Sequence, residues 1–115
     1  MILAQAAARH MRAQGSGGRI LFMSSVGGHQ AIRYMSAYCI TKAGLEMLAR
    51  NLVLELAPYG ITVNAIAPTF IRTDLNVFML DDPATRDWVL SRIPMGRVGQ
   101  IWDLFGLVIF LSAPA

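Results

Sequence analysis

Ser25, Tyr38 and Lys42 are the side chains whose types and spacing suit proton transfer. Ser25 closes an apolar run, Ile20-Leu21-Phe22-Met23-Ser24-Ser25, that leads into Val26-Gly27-Gly28. Tyr38 and Lys42 stand in Ser36-Ala37-Tyr38-Cys39-Ile40-Thr41-Lys42-Ala43-Gly44. Four residues apart, they fall on one face of a helix, one above the other. Free tyrosine ionises near pH ~10, and a nearby cation favours the phenolate. A phenol beside an ammonium is therefore a proton-transfer device, and a serine hydroxyl at a strand end could hold the oxygen that receives the proton.

The elements that must position these groups read as follows. Ile2 to Gln14 is alanine-rich, lacks Pro and Gly, and repeats apolar residues at helical spacing. Gly15-Ser16-Gly17-Gly18 ends it. Arg19 to Ser24 has strand length and no alternation, as in a parallel strand buried on both faces. A loop follows from Gly27 to Met35. Ser36 is a candidate N-cap for a helix running to about Leu56, stopped by Pro58 and Gly60. Ile61 to Ala67 is a second strand, so the three elements form a βαβ unit with parallel strands and a right-handed crossover. Pro68 to Asp82 reads as a long irregular excursion. Pro83 to Ser91 is a helix capped by Asp82 with Pro83 at its first position. Pro94 to Gly99 is a loop, and Ile101 to Ser112 a final, mostly buried helix.

This pattern resembles the short-chain dehydrogenase/reductase family of the classical type, in which a Ser, a Tyr-x-x-x-Lys pair and a nicotinamide cofactor act on a carbinol carbon. Two further stretches match. Asn64-Ala65-Ile66-Ala67-Pro68-Thr69-Phe70-Ile71-Arg72-Thr73 is similar to the family's cofactor-clamping segment, and Ile93-Pro94-Met95-Gly96-Arg97-Val98-Gly99-Gln100-x-x-Asp103 to the loop and helix start after it. The resemblance implies an α/β fold, a partial Rossmann-type doubly wound parallel sheet, over residues 1–115 as one partial domain. It implies Ser25, Tyr38 and Lys42 as catalytic residues, with Ser25 preferred over Ser24 because it lies thirteen residues before the tyrosine. It implies Tyr38, Lys42, Pro68, Thr69, Ile71 and Thr73 as contacts to NAD or NADP. The expected activity interconverts a secondary alcohol and a ketone. The stretch from Pro68 to Arg97 most resembles members acting on sugars or sugar acids, and acyl-carrier-protein reductases are similar over this length. Family members form dimers or tetramers in which the helices matching Ile2–Gln14 and Ser36–Leu56 pack across an interface, so a homo-oligomer is expected for the full-length parent.

Departures from the family pattern matter as well. Thr69 replaces the usual glycine, which restricts the backbone beside the nicotinamide. No G-x-G-x-x-G or related turn follows a strand, although the family holds the cofactor pyrophosphate at such a turn. The family's catalytic asparagine upstream of the serine strand is absent, since the first asparagine is Asn51. The family's last strand and tail are expected to be missing too. The expectation is a catalytic half lacking the N-terminal dinucleotide-binding half, inactive in isolation. The alternative class is a truncated homologue acting only through subunit contacts. A third reading, an extended-type sugar-nucleotide epimerase, shares Tyr-x-x-x-Lys, but the Asn64–Thr73 segment argues against it.

Composition narrows the partners. Of 115 residues, 55% are apolar and 15% charged, too apolar for a disordered chain. The net charge is +3, but the basic residues are scattered, with no run suited to nucleic acid. Lys42 is the only lysine. A single cysteine, Cys39, excludes an internal disulfide and fits a reducing compartment. The most apolar run, Leu104 to Leu111, falls well short of the ~20 residues that span a membrane. No targeting segment is evident, so a cytoplasmic protein with no membrane partner is expected. Tyr34 reads as loop packing or substrate wall, His29 and Gln30 as a surface facing substrate, Cys39 as buried and inert, and Met35 and Met47 as helix filler. Ser24 should hydrogen-bond locally and Asn64 should tie strand ends. No His/Cys cluster has metal-ligand spacing.

Overall fold

Alanine at the inward positions and glycine at the exit define the first helix. In the computed structural model, which describes residues 1–114, helix α1 (Ile2–Gln14) buries Ala4 and Ala8, and Gly15 ends it in the left-handed region at φ 70°. Strand β1 (Gly18–Met23) follows, then one 3-10 turn at Val26–Gly28, helix α2 (Ser36–Leu56) and strand β2 (Ile61–Ile66). β1 and β2 pair in parallel, with Gly18 opposite Ile61 and Met23 opposite Ile66. The βαβ reading and its strand direction therefore hold.

Both strands start from glycine turns that press together. Gly17 and Gly60 each have positive φ, and the Gly18 amide donates to the Gly60 carbonyl over 3.3 Å. A Cβ on Gly17 would lie 2.7 Å from that same carbonyl oxygen, which no side chain tolerates. From this common start the register sets Ile20 opposite Val63 and Phe22 opposite Ala65. With a side-chain period of two, these residues and Ile61 share one face. That face meets Ala4 and Ala8 of α1 and Ala49, Leu52 and Leu56 of α2 in the main core. Each fully buried aliphatic side chain there contributes on the order of 2 kcal/mol.

The expectation of a strand buried on both faces is corrected. Only Ile20 of β1 is buried, and Met23 is half exposed. Helical cover lies on the Ile20 face; Leu21 and Met23 point to the other. Ser36 is the first residue of α2 rather than its cap. Met35 occupies the cap position and offers no side-chain acceptor. Met35 and Met47 are themselves substantially exposed, so they are not core filler.

By its internal contacts the chain divides into two compact units: Met1–Ala67 with the end of the chain from Leu111, and Pro68–Phe110. The second unit is less irregular than its sequence suggests. It contains helix α3 (Val77–Asp81) and helix α4 (Pro83–Leu90), and it buries Leu80 and Val89. Asp82 caps α4 as expected, its carboxylate accepting from the Thr85 amide at 2.8 Å. A 3-10 turn at Ile101–Leu104 leads into helix α5 (Phe105–Ser112). No residue of α5 is buried, and Phe110 is 76% exposed, contrary to the expected buried helix. Its sequence is apolar all round, so it needs cover on every side. Within α5 that cover reaches only Leu111, and in part.

Two predictions come from this architecture. The outer edges of β1 and β2 carry backbone groups without strand partners among the described residues. Ile2, Leu3, Ile40, Leu54, Ile109 and Phe110 each stand at least two-thirds exposed. The 115-residue chain is expected to self-associate or to bind a hydrophobic dye strongly, read by sedimentation and light scattering; a monodisperse 12.6 kDa species with a sharp melt would contradict this. The second concerns Asp82. The Thr85 hydroxyl and then the Thr85 amide hold its carboxyl below the ordinary carboxylate range. Its folded value lies below its unfolded one, so the capping stability is present above pH ~4 and is lost as pH falls through the depressed value. An NMR titration of the Thr85 amide should show that acid transition, and Asp82→Asn should abolish it while keeping the cap.

Candidate active site

The three residues singled out for proton transfer lie around the turn that follows β1 and the first turns of α2. Ser25 is extended, and its Oγ accepts from the Gly27 amide at 3.1 Å, capping the Val26–Gly28 turn. The hydroxyl hydrogen remains available to donate. Gly27 is buried and lies under the Tyr38 ring: a Cβ there would come within 3.1 Å of Tyr38 Cε1. Tyr38 is itself 38% exposed, so its ring rests on the turn with one side open. One turn along α2, the Lys42 ammonium donates to the Met23 carbonyl at 2.8 Å and sits 5.5 Å from the Tyr38 ring centroid. That distance is within the range of cation–π attraction. Lys42 thus spans the gap between helix and strand, fixing a positive charge beside the phenol and two residues before Ser25.

Beneath this group lies a residue that reasoning from the sequence missed. Glu46, one turn beyond Lys42, is buried. Ser24 Oγ donates to Glu46 Oε1 at 2.7 Å and contacts the Lys42 carbonyl at 3.1 Å. His29 Nδ1 stands 3.1 Å from Glu46 Oε2. Ser24 therefore bonds across elements rather than locally. His29 remains largely exposed, as expected, but one of its ring nitrogens is engaged. A signal for Glu46 was present: the buried stripe of α2 at Leu56, Leu52 and Ala49 extends by one more step of three onto Glu46. Gly28 completes the cluster, because a Cβ there would collide with Glu46 Oε1 and Ser24 Oγ.

Other expectations fare variously. Tyr34 is 93% exposed at φ 65° and packs on nothing substantial. Cys39 is only half-buried, its thiol directed at the Gln30 carbonyl. Asn64 stays in β2 opposite Leu21, without a side-chain hydrogen bond tying strand ends among the described residues. No cluster of metal-ligating side chains occurs among the described residues, and no helix is long and apolar enough to cross a membrane.

Pro68, Thr69, Ile71 and Thr73 belong to the second unit. Pro68 is half-buried and Thr69 exposed. Ile71 forms a parallel bridge with Gly99, and the Arg72 amide donates to the Gly99 carbonyl at 2.8 Å. Asn76, also missed in the sequence, locks the segment from both sides. Its Oδ1 accepts from the Thr73 amide at 3.0 Å, and its Nδ2 donates to the Ile71 carbonyl at 2.7 Å. Thr73 lines a cleft of about 330 Å³ with Arg72, Asp74, Val77, Gln100 and Ile101. Asp103 braces the neighbouring loop. It accepts from Arg97 at 2.6 Å and from the Gln100 amide at 2.8 Å. Those two bonds, the Arg97 one foremost, hold its carboxyl below the usual range.

The family model described as Enoyl-(Acyl carrier protein) reductase matches residues 1–115. The chain belongs to the short-chain dehydrogenase/reductase family. It is 42% identical over 109 residues to an L-rhamnose 1-dehydrogenase (NAD(P)(+)) from Azotobacter vinelandii, covering 95% of this chain and 43% of that protein. A gluconate 5-dehydrogenase from Burkholderia cenocepacia, solved in complex with NADP and tartrate, superposes with a TM-score of 0.91 at 41% identity, covering 96% of this chain and 43% of that one. A short-chain type dehydrogenase/reductase from Mycobacterium marinum gives 0.85 at 40% identity, with the same two coverages, 96% and 43%. The chain thus spans less than half the length of these short-chain dehydrogenases and reductases. Their structures establish its fold as part of a Rossmann-type α/β sheet.

Two glycines test how tightly the site is built. Gly28→Ala is expected to destabilise by ~1–3 kcal/mol, the usual cost of overpacking. Gly44→Ala, in the interior of α2 with open space around it, should instead stabilise by ~0.5–1 kcal/mol. Denaturant melts of the two variants provide the measurement.

Proposed function

We propose that this chain supplies the catalytic half of an NAD(P)-dependent oxidoreductase that interconverts a secondary alcohol and a ketone, with a sugar or sugar acid as the substrate class. The observation that carries this reading is the Lys42 ammonium clasped to the Met23 carbonyl beside an accessible Tyr38, at the end of the strand that bears Ser25. In this reading Tyr38 exchanges the hydroxyl proton of the substrate as general acid or base. Ser25 donates its free hydroxyl hydrogen to the substrate oxygen and steadies developing charge there. Lys42 supplies positive charge at the phenol. The names of the rhamnose and gluconate dehydrogenases support the substrate class.

NAD or NADP, when bound, supplies the redox chemistry at the carbinol carbon. The residues fit its nicotinamide end. Thr73 offers a hydroxyl to the carboxamide, in a cleft whose lining includes the apolar or neutral Val77, Ile101 and Gln100 and also the charges of Arg72 and Asp74. Pro68, Thr69, Ile71 and Thr73 are the residues assigned to the nicotinamide in this reading, and Tyr38 and Lys42 those assigned to a ribose. Residues 1–115 then form one partial domain of a homo-oligomer, dimer or tetramer. The lone, half-buried Cys39 suits a reducing, cytoplasmic setting. A second reading, a chain acting only through subunit contacts, draws support from the exposed Ile2, Leu3, Ile40 and Leu54 on α1 and α2.

The test uses this segment completed with the remaining part of the gluconate 5-dehydrogenase. Tyr38→Phe should lower kcat by ~10²–10⁴-fold, the range for a lost acid–base group, with little change in cofactor affinity. Lys42→Ala should damage both turnover and cofactor binding, and Tyr34→Phe neither. Near-full turnover of Tyr38→Phe would identify the wrong phenol. The 115 residues alone should show no saturable NAD(P)(H) binding by calorimetry, because they contain no glycine-rich turn for the pyrophosphate. A micromolar Kd, about −8 kcal/mol, would overturn that expectation.

A further inference from the structure

We infer that Glu46 is a positioning residue: acting through Ser24, it sets where the Lys42 ammonium and Ser25 stand relative to Tyr38. The inference rests on the reading of those three residues as the catalytic set. Glu46 shares a helical face with both members of the pair, four residues beyond Lys42 and eight beyond Tyr38. Among the described residues it makes no hydrogen bond or ion pair with either side chain. Its carboxylate reaches across to the end of β1 instead, where Ser24 Oγ donates to it at 2.7 Å.

Ser24 lies between the residues that matter. Its backbone amide donates to the Ile66 carbonyl at 2.7 Å, the last rung between the strand ends. The residue before it supplies the carbonyl that holds Lys42, and the residue after it is Ser25. A movement of Ser24 therefore moves the anchor of the ammonium and the candidate oxygen-binding hydroxyl together. The second carboxylate oxygen meets His29 Nδ1 at 3.1 Å, which ties down the loop leaving the Val26–Gly28 turn on which the Tyr38 ring rests. One buried carboxylate thus fastens strand end, turn and helix at a single level.

The burial makes this more than packing. A carboxylate in the buried stripe of α2 is costly unless its oxygens are satisfied. Both oxygens of Glu46 have partners, and both partners lie on the segment that carries Ser25 rather than on α2 itself. A leucine would fill that position on the apolar stripe without linking the two elements. Ser24 would then retain only its 3.1 Å contact to the Lys42 carbonyl. Gly28 fits the same reading, since it is the absence of its side chain that lets the carboxylate reach Ser24.

Lys42 is the sole lysine, so its amine can be followed in isolation. The rate of its acylation by an amine reagent, read by mass spectrometry of its peptide, is measured in the 115-residue chain and in the chain completed with the gluconate 5-dehydrogenase. Glu46→Leu and Ser24→Ala should each speed acylation about fivefold, as the hold on the Met23 carbonyl loosens. Glu46→Gln, which keeps an acceptor for Ser24, should leave the rate near that of the parent. In the completed chain, Glu46→Leu should lower kcat about 10- to 100-fold, the effect of a small misplacement of reacting groups, with KM little changed and with recovery in Glu46→Gln. Circular dichroism establishes that each variant is folded, and Ser24→Ala carries the test if Glu46→Leu is not. An unchanged acylation rate in folded Ser24→Ala or Glu46→Leu overturns the inference whatever the activity. Faster acylation in a completed chain whose parent form is inactive upholds the positioning and refutes the proposed reaction instead.

Discussion

The structure turns on the end of one strand. β1 stops at Met23, and its next residue, Ser24, still pairs through its amide with Ile66 while its hydroxyl leaves the sheet for α2. From there the chain can no longer satisfy its backbone through the ladder. The Met23 carbonyl is taken by the Lys42 ammonium and the Gly27 amide by the Ser25 hydroxyl. Two of the three candidate groups in this unit, Ser25 and Lys42, thus also close an open backbone valence. This explains why a strand end hosts the site: unpaired carbonyls and amides there recruit polar side chains, and those side chains then stand together at a rim.

Much of this was legible from local signals. The helix limits at Gln14 and Leu56, the parallel strands, and the Asp82 cap before Pro83 each rest on chemistry contained within a few residues: a glycine able to adopt positive φ, a proline that fits a first turn, a carboxylate three residues before a waiting amide. The pairing of Tyr38 with Lys42 was legible for the same reason, because helical periodicity places them without knowledge of the remaining fold.

What escaped depends on contacts distant in sequence. Glu46 looks like an ordinary solvated charge until Ser24 and His29 arrive from another element. Asn76 looks like a turn residue until both ends of its amide are seen to serve Ile71 and Thr73. The exposure of α5 and of one face of β1 was missed because apolar sequence reports only what a segment would gain by burial. It does not report whether the cover lies within the same 115 residues.

The abutting turns at Gly17 and Gly60 make the two ends of this small sheet unequally tolerant of a change in chain length. At that end two backbones touch and two glycines occupy left-handed conformations. An inserted or deleted residue in either turn would displace one strand against the other and send its core-facing side chains to the opposite face. At the far end no such pair of abutting glycine turns fixes the strands: the last rung is the Ser24 amide to the Ile66 carbonyl, and the loop from His29 to Met35 lies beyond it. A change of length in that loop leaves the strand register untouched, whereas one at the opposite rim resets it.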